Sequence, residues 1–197
     1  MNTKYLALIV IGGLIVLLGG CACNINNSLA KKDQEVKSSW SGVETNYQRR
    51  TDLYSSVIKV IEGAANFEKS TLKDVIDARS RATAVQVDIN DPATLEKYQQ
   101  MQGQLQSAFG RLMAVSEAYP DLKTTRQFQD FQAQIEGTEN RINIARQTYN
   151  AAVKDFNTVL VTFPNSLFAR FLGFKEKAYY KADPGAERNP NIEFNIK

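Results

Sequence analysis

Residues 128–164, FQDFQAQIEGTENRINIARQTYNAAVKDFNTVLVTFP, decide the fold. Phe128, Phe131, Ile135, Thr138, Ile142, Ala145, Tyr149, Ala152, Phe156, Val159 and Phe163 step by three and four without a miss. That alternation lays one seam along an α-helix. Pro164 ends the helix, because its ring removes an N–H donor and clashes with the preceding turn.

Working outward, the same pattern returns twice. Val36, Trp40, Val43, Tyr47, Tyr54, Val57, Ile61 and Ala64 form a seam of the same kind, with Arg50 at its one polar position. A kink or short joint is expected near Gly63 to Asn66, after which Phe67, Leu72, Val75 and Ile76 resume the helical spacing to about Ala84. Asp88-Ile89-Asn90-Asp91-Pro92 is turn chemistry, with Asp91 a cap and Pro92 a first helical residue. The third helix then carries Leu95, Tyr98, Leu105, Phe109, Leu112 and Val115 inward and ends at Tyr119-Pro120. No two-residue alternation of β-branched residues competes. The reading is all-α: an antiparallel up-and-down bundle of three long helices, or four if the first breaks, with coiled-coil-like seams and an N-terminal membrane anchor.

That anchor is the other decisive segment. Lys4 is followed by an almost unbroken apolar run from Tyr5 to Gly20, closing in Leu18-Gly19-Gly20-Cys21-Ala22-Cys23. A basic start, an apolar stretch and small residues before a cysteine make a bacterial lipoprotein signal, with Cys21 as the lipidated residue. An uncleaved transmembrane helix is the alternative, since about 17–20 apolar residues suffice to span a bilayer. A plain secretory signal fits less well, because a cysteine occupies the cleavage region. The chain therefore divides into an anchor at 1–23, a bundle at 24–164, an apolar segment at 165–181 and a polar tail at 182–197 that reads as extended or disordered. Leu167, Phe168, Phe171, Leu172 and Phe174 cluster around Arg170 and Lys175 in the third of these. They pack on the bundle or on the membrane.

Composition excludes much chemistry. The 197 residues include no histidine, the commonest general base and metal ligand. Cys21 and Cys23 are the only cysteines, so the body has no thiol nucleophile, disulfide or thiolate site. Net charge is +3 from 24 basic and 21 acidic residues, dispersed along the chain, which gives no basic face for nucleic acid. Asp130, Glu117, Glu136 and Glu139 lie on helices, but the di-iron bundle pattern needs Glu-x-x-His. Surface links to Arg141 and Arg146 account for them better. Arg49, Arg50 and Asp52 sit mid-helix, where Arg50 in a seam implies an interhelical ion pair. Ser38, Ser39, Ser55 and Ser56 have no base beside them. No glycine-rich phosphate loop is present.

Several motifs carry a resemblance. Gly110-Arg111-Leu112-Met113-Ala114-Val115-Ser116-Glu117-Ala118-Tyr119-Pro120-Asp121-Leu122-Lys123 resembles the Glu-x-Tyr-Pro-Asp-Leu region of the LemA family. Glu136-Gly137-Thr138-Glu139-Asn140-Arg141-Ile142 resembles its second motif. Tyr149-Asn150, Phe156-Asn157 and Phe163-Pro164 are similar to its closing positions, and Trp40, Gln48-Arg49-Arg50 and Asp52-Leu53 match in the first helix. The likeness covers nearly all of the chain after Asn24. This chain departs from the family at Ser55-Ser56, where members usually place a proline, and at Cys21, where members usually have a plain transmembrane segment. The resemblance implies a helical bundle displayed from a bacterial membrane, with no established catalytic activity, cofactor or substrate.

The functional expectation is a non-catalytic, membrane-anchored interaction or scaffold protein of the bacterial envelope. It would work with a membrane or envelope protein partner, without cofactor, metal, nucleic acid or small-molecule substrate. Arg49, Arg50, Glu117, Asp121, Glu139, Asn140 and Arg141 would form a partner surface or lock helix register. A carboxylate- and metal-dependent enzyme, or a lipid-binding protein, are the alternatives.

Overall fold

The computed structural model describes residues 3–63 and 67–181. Among them are six helices and no strand: α1 (Thr3–Glu62), α2 (Lys69–Thr83), α3 (Pro92–Ser116), α4 (Pro120–Lys123), α5 (Arg126–Val161) and α6 (Asn165–Phe171). The fold is all-α, as the seams predict. The first helical pattern does break, since α1 stops at Glu62 and α2 begins at Lys69, giving four long helices and two short ones. Ala64 and the tail from Ala182 lie outside the described residues.

Local sequence sets the helix ends. At α3 the Asp91 carboxylate accepts the Ala93 N–H at 2.9 Å and Pro92 takes the first turn, where its missing N–H costs nothing. The loop before it is tied internally: Thr94 Oγ1 donates to the Asp88 carbonyl at 2.9 Å, and Asp88 Oδ1 accepts the Asn90 N–H at 2.9 Å. α3 ends at Ser116, three residues short of the proline, with Glu117 as its C-cap. Tyr119 is driven out of helical conformation (φ −118°, ψ 79°) because the Pro120 ring crowds it. α5 likewise ends at Val161, so Phe163, assigned to the seam by spacing, lies past the helix and is exposed. Gly173 (φ 77°) closes α6: the Phe174 N–H reaches back to the Ala169 carbonyl at 3.1 Å, the six-to-one bond of a Schellman motif.

The chain forms two compact units, one of Met1–Arg50 with Gly137–Tyr179, the other of Thr51–Glu136 with Tyr180–Lys197. The second unit holds an apolar core. Tyr54, Val57 and Ile61 of α1 meet Leu72, Val75 and Ala78 of α2, Leu105, Phe109 and Leu112 of α3, Leu122 of α4 and Phe128 of α5. Tyr54 and Phe109 stack with ring centroids 3.7 Å apart. Each such buried side chain contributes about 1.5–3 kcal/mol.

In the first unit α1 and α5 run antiparallel. Arg50 pairs with Glu139, Trp40 meets Tyr149 edge-to-face with centroids at 5.2 Å, and Lys32 lies 3.7 Å from Asp155. Numbers fall on one helix as they rise on the other. Val36, Val43, Ile142, Val153 and Phe156 fill the seam between these contacts. After α6 the chain turns back, and Phe174 packs on Phe156 with centroids at 6.3 Å.

Candidate functional site

The polar residue that interrupts the first seam is the centre of the candidate site. Arg50 is fully buried, although seam spacing would place an apolar side chain there. Its Nη1 lies 3.4 Å from Glu139 Oε1, and its guanidinium carbon sits 4.7 Å from the centre of the Tyr47 ring. A planar cation suits both partners, since it can pair with a carboxylate and stack on an aromatic face. One turn earlier on α1, the Tyr47 hydroxyl accepts hydrogen bonds from Arg146 Nε at 3.0 Å and from Arg146 Nη2. Arg50, Tyr47, Glu139 and Arg146 thus form one cluster between α1 and α5. Thr138, beside Glu139, is fully buried as well.

The other residues singled out in the sequence are placed differently. Arg49, Asn140 and Arg141 belong to the same unit; Arg49 and Arg141 are exposed and Asn140 is exposed. Glu117 and Asp121 belong to the second unit and are exposed too. Glu139 meets Arg50 across the helix pair, and Arg146 meets Tyr47. Cys21 and Cys23 are exposed on α1, which continues through both without a break.

A second cluster is centred on Lys177, which carried no signal in the sequence. Lys177 is buried although it follows α6 in an irregular segment, and its Nζ lies 2.5 Å from Asp33 Oδ1. Asp33 also receives Lys37 at 2.7 Å, and Lys177 Nζ stands 5.2 Å from the centre of the Phe156 ring. Burial disfavours the Asp33 charge, but hydrogen bonds from Lys177 and Lys37 outweigh it and hold the carboxyl below its ordinary pKa. The segment is pinned through its backbone as well. Asn157 Nδ2 donates to the Lys177 carbonyl at 3.0 Å, and the Lys177 N–H donates to Asn157 Oδ1 at 2.9 Å. The Tyr149 hydroxyl donates to the Ala178 carbonyl at 2.8 Å, and burial raises its pKa well above that of a free tyrosine. The motif residues Tyr149 and Asn157 therefore hold the returning chain against α5. Their visible sign in the sequence was the likeness of Tyr149-Asn150 and Phe156-Asn157 to the family's closing motifs.

Both clusters are built of paired polar groups. Each arginine or lysine is matched to a carboxylate, a ring or a hydroxyl. Among the described residues no three acidic or sulfur side chains converge as metal ligands would. In the second unit an open groove of about 790 Å³ runs along α2 and α3, lined by Asp74, Asp77, Arg81, Glu96 and Arg111, with Lys181 Nζ 3.1 Å from Glu96. Its charges are mixed.

Among the described residues, the N-terminal part of α1 is bare. Val10, Ile11, Leu14, Ile15, Val16 and Leu17 are all exposed. Among the described residues α1 is the one helix long and apolar enough to cross a membrane. Large apolar side chains bared on every side of a helix fit a lipid environment and are costly in water.

Comparison with known proteins finds relatives over most of the chain. Protein LemA of Metamycoplasma hominis is 27% identical over 156 residues, covering 79% of this chain and 68% of that protein. Magnetosome protein MamQ 2 of Paramagnetospirillum magneticum is 23% identical over 180 residues, covering 82% of this chain and 66% of that protein. Magnetosome protein MamQ of Magnetospirillum gryphiswaldense is 21% identical over the same share of each. The chain thus spans about two thirds of the length of these curated relatives. The family profile described as LemA family matches residues 39–194, which takes in both arginine and tyrosine motifs of the first cluster and all the later motifs quoted above. This chain belongs to the LemA family.

Proposed function

We propose that this protein is a non-catalytic, membrane-anchored interaction or scaffold protein of the bacterial envelope. One observation carries the reading: an exposed apolar helix continues, as the same helix α1, into a packed helical body. Such a chain holds a folded body at a bilayer by one end. The buried Arg50–Glu139 pair serves helix register, and the exposed Arg49, Asn140 and Arg141, with Glu117 and Asp121 of the second unit, serve a membrane or envelope protein partner.

The anchor is a diacylated Cys21, or an uncleaved α1. The small residues before Cys21 and its exposure favour the first, and the unbroken helix from Thr3 favours the second. Mass spectrometry of the mature N-terminus, on wild type and on Cys21→Ser, separates them. Lipid on Cys21, lost in the variant, means a lipoprotein, and an intact Met1 without lipid means a single-pass helix.

The partner role is tested by photo-crosslinking in living cells, with the crosslinker placed in turn at Arg49, Asn140, Arg141, Glu117 and Asp121. The reading expects a discrete crosslinked membrane or envelope protein from at least one position, and none at any position overturns it. Stoichiometric metal in the purified full chain would instead favour a carboxylate-dependent enzyme.

A further inference from the structure

Beyond the last turn of α5 the chain makes a tight reversal before it returns at Phe174. This reversal bares an unusual amount of apolar surface. Phe171 is 92% exposed and Phe163 79%, and Val161, Leu167 and Leu172 are exposed beside them. Leu167 and Phe171 are four apart on α6 and share a face. Ala169, on another face, is buried and seats α6 on its own unit. The reversal is therefore folded and held, and its apolar side faces away from the protein. A packed body with this much bare aromatic surface in one place normally covers it with something.

Register identifies the cover. Lys32 opposes Asp155 and Trp40 opposes Tyr149 across the antiparallel pair α1/α5. Carrying that offset to the end of α5 sets Val161 level with about residues 26–28 of α1, and the reversal follows directly. Among the described residues, Ile25 and Leu29 are the last buried apolar residues of α1 toward its N-terminus, and the apolar N-terminal stretch closes at Cys23. The end of α5 thus stands about three to five residues from that run, or ~5–8 Å along the helix axis. Interfacial helices bury their apolar face ~5–10 Å into the boundary between headgroups and acyl chains, a depth comparable to that offset. Arg170 and Lys175 flank the apolar face, and Lys31 of α1 lies at a similar level; all three are exposed. Long basic side chains around an apolar patch match an anionic headgroup layer, into which they extend while their stems stay apolar.

Resting on the membrane-anchored reading above, we propose that the α5–α6 reversal is a second membrane contact: Phe163, Leu167, Phe171 and Leu172 insert at the bilayer interface beside the anchor. Two contacts fix the tilt and rotation of this unit on the lipid surface, where one anchor alone would leave it free to swivel. The occupant is the surface of a bilayer that carries anionic lipid.

The test places a fluorescent reporter on the reversal of the full chain. The protein has one tryptophan, Trp40, so the variant is Trp40→Phe with Phe171→Trp. It is reconstituted into vesicles of phosphatidylcholine and phosphatidylglycerol, some carrying bromine on the acyl chains close to the headgroup. Flotation of the same vesicles reads the anchor independently. The proposal expects blue-shifted emission from the introduced tryptophan, strong quenching by the bromine, and loss of that quenching when Leu167→Asp is added while flotation persists. Flotation with the introduced tryptophan unquenched and solvent-like overturns the second contact and leaves the anchor standing. Flotation with a blue shift but no quenching means that protein covers the patch, a second copy or a partner, and also overturns it. A chain that does not float overturns both readings.

Discussion

Arg50 and Glu139 are 89 positions apart in the chain, and their side chains meet at 3.4 Å between α1 and α5. The arginine is wholly buried and the carboxylate is less than a third exposed. An ion pair of this kind adds little net stability, because desolvating both charges offsets most of their attraction. Its effect is on register. Sliding either helix by one turn would bury the Arg50 charge against an apolar seam, which is far costlier than the pair is worth.

The two partners should therefore respond unequally to substitution. Glu139→Gln leaves a buried cation short of its counter-charge and should lower stability by about 2–3 kcal/mol. Arg50→Met removes the buried charge and leaves a carboxylate that can reach water, so it should cost less, and the double variant should lie close to Arg50→Met alone. Urea midpoints of the detergent-solubilised full chain read this cycle. Equal and additive losses would mean that the pair does not act as a unit.

The Asp33–Lys177 pair predicts an acid limb. Because the folded pKa of Asp33 is depressed, the unfolded chain binds its proton first as pH falls, and stability drops. The contribution is complete above the ordinary carboxylate pKa of about 4 and is lost as pH falls from there through the folded value. In Asp33→Asn this part of the pH dependence should vanish. Melting temperature followed from pH 6 downward for both proteins would show the curves converging; parallel curves would contradict the assignment.

Asn157 brackets the Lys177 peptide with one donor and one acceptor. Asn157→Ala leaves a buried N–H and carbonyl without these partners and should cost about 1–3 kcal/mol. The loss should be local. Hydrogen exchange at Lys177 and its neighbours should accelerate by at least tenfold, with the centre of α3 unchanged, and uniform acceleration everywhere would refute local pinning.

Gly173 holds a left-handed backbone conformation that a side chain disfavours, although nothing lies within 4 Å of where its Cβ would stand. The expected penalty for Gly173→Ala is therefore conformational alone, about 1–2 kcal/mol, and Gly173→Asn should recover part of it. Equal melting temperatures for wild type and alanine variant would place the turn elsewhere.

The sequence exposed some of this plainly and hid the rest for identifiable reasons. Seams at Val36–Ile61 and Leu95–Leu112 were legible because an apolar stripe repeats with the helical period, and every described member of both is buried or nearly so. Asp91-Pro92 and Tyr119-Pro120 marked real boundaries because proline acts on its immediate neighbours, which makes its effect local. Phe163 kept perfect spacing and still left the seam, since Pro164 ended the helix two residues early and periodicity carries no knowledge of that. Arg50 was visible as an anomaly in a stripe. Its partner was not, because pairing across 89 residues depends on how two helices face each other. Lys177 gave no sign at all, as a lysine in an irregular segment ordinarily lies in water.

By itself, the sequence determined the all-α class, the four long helical patterns, the apolar N-terminal run and the LemA family, because each of these is written in local periodicity or in a short motif. Only the tertiary structure decided that Glu139 meets Arg50, that Tyr149 and Asn157 clamp the returning chain, and that the reversal after α5 leaves Phe163 and Phe171 bare. Those are matters of which surfaces meet. Meeting depends on the offset between helices far apart in the chain, which no local spacing encodes.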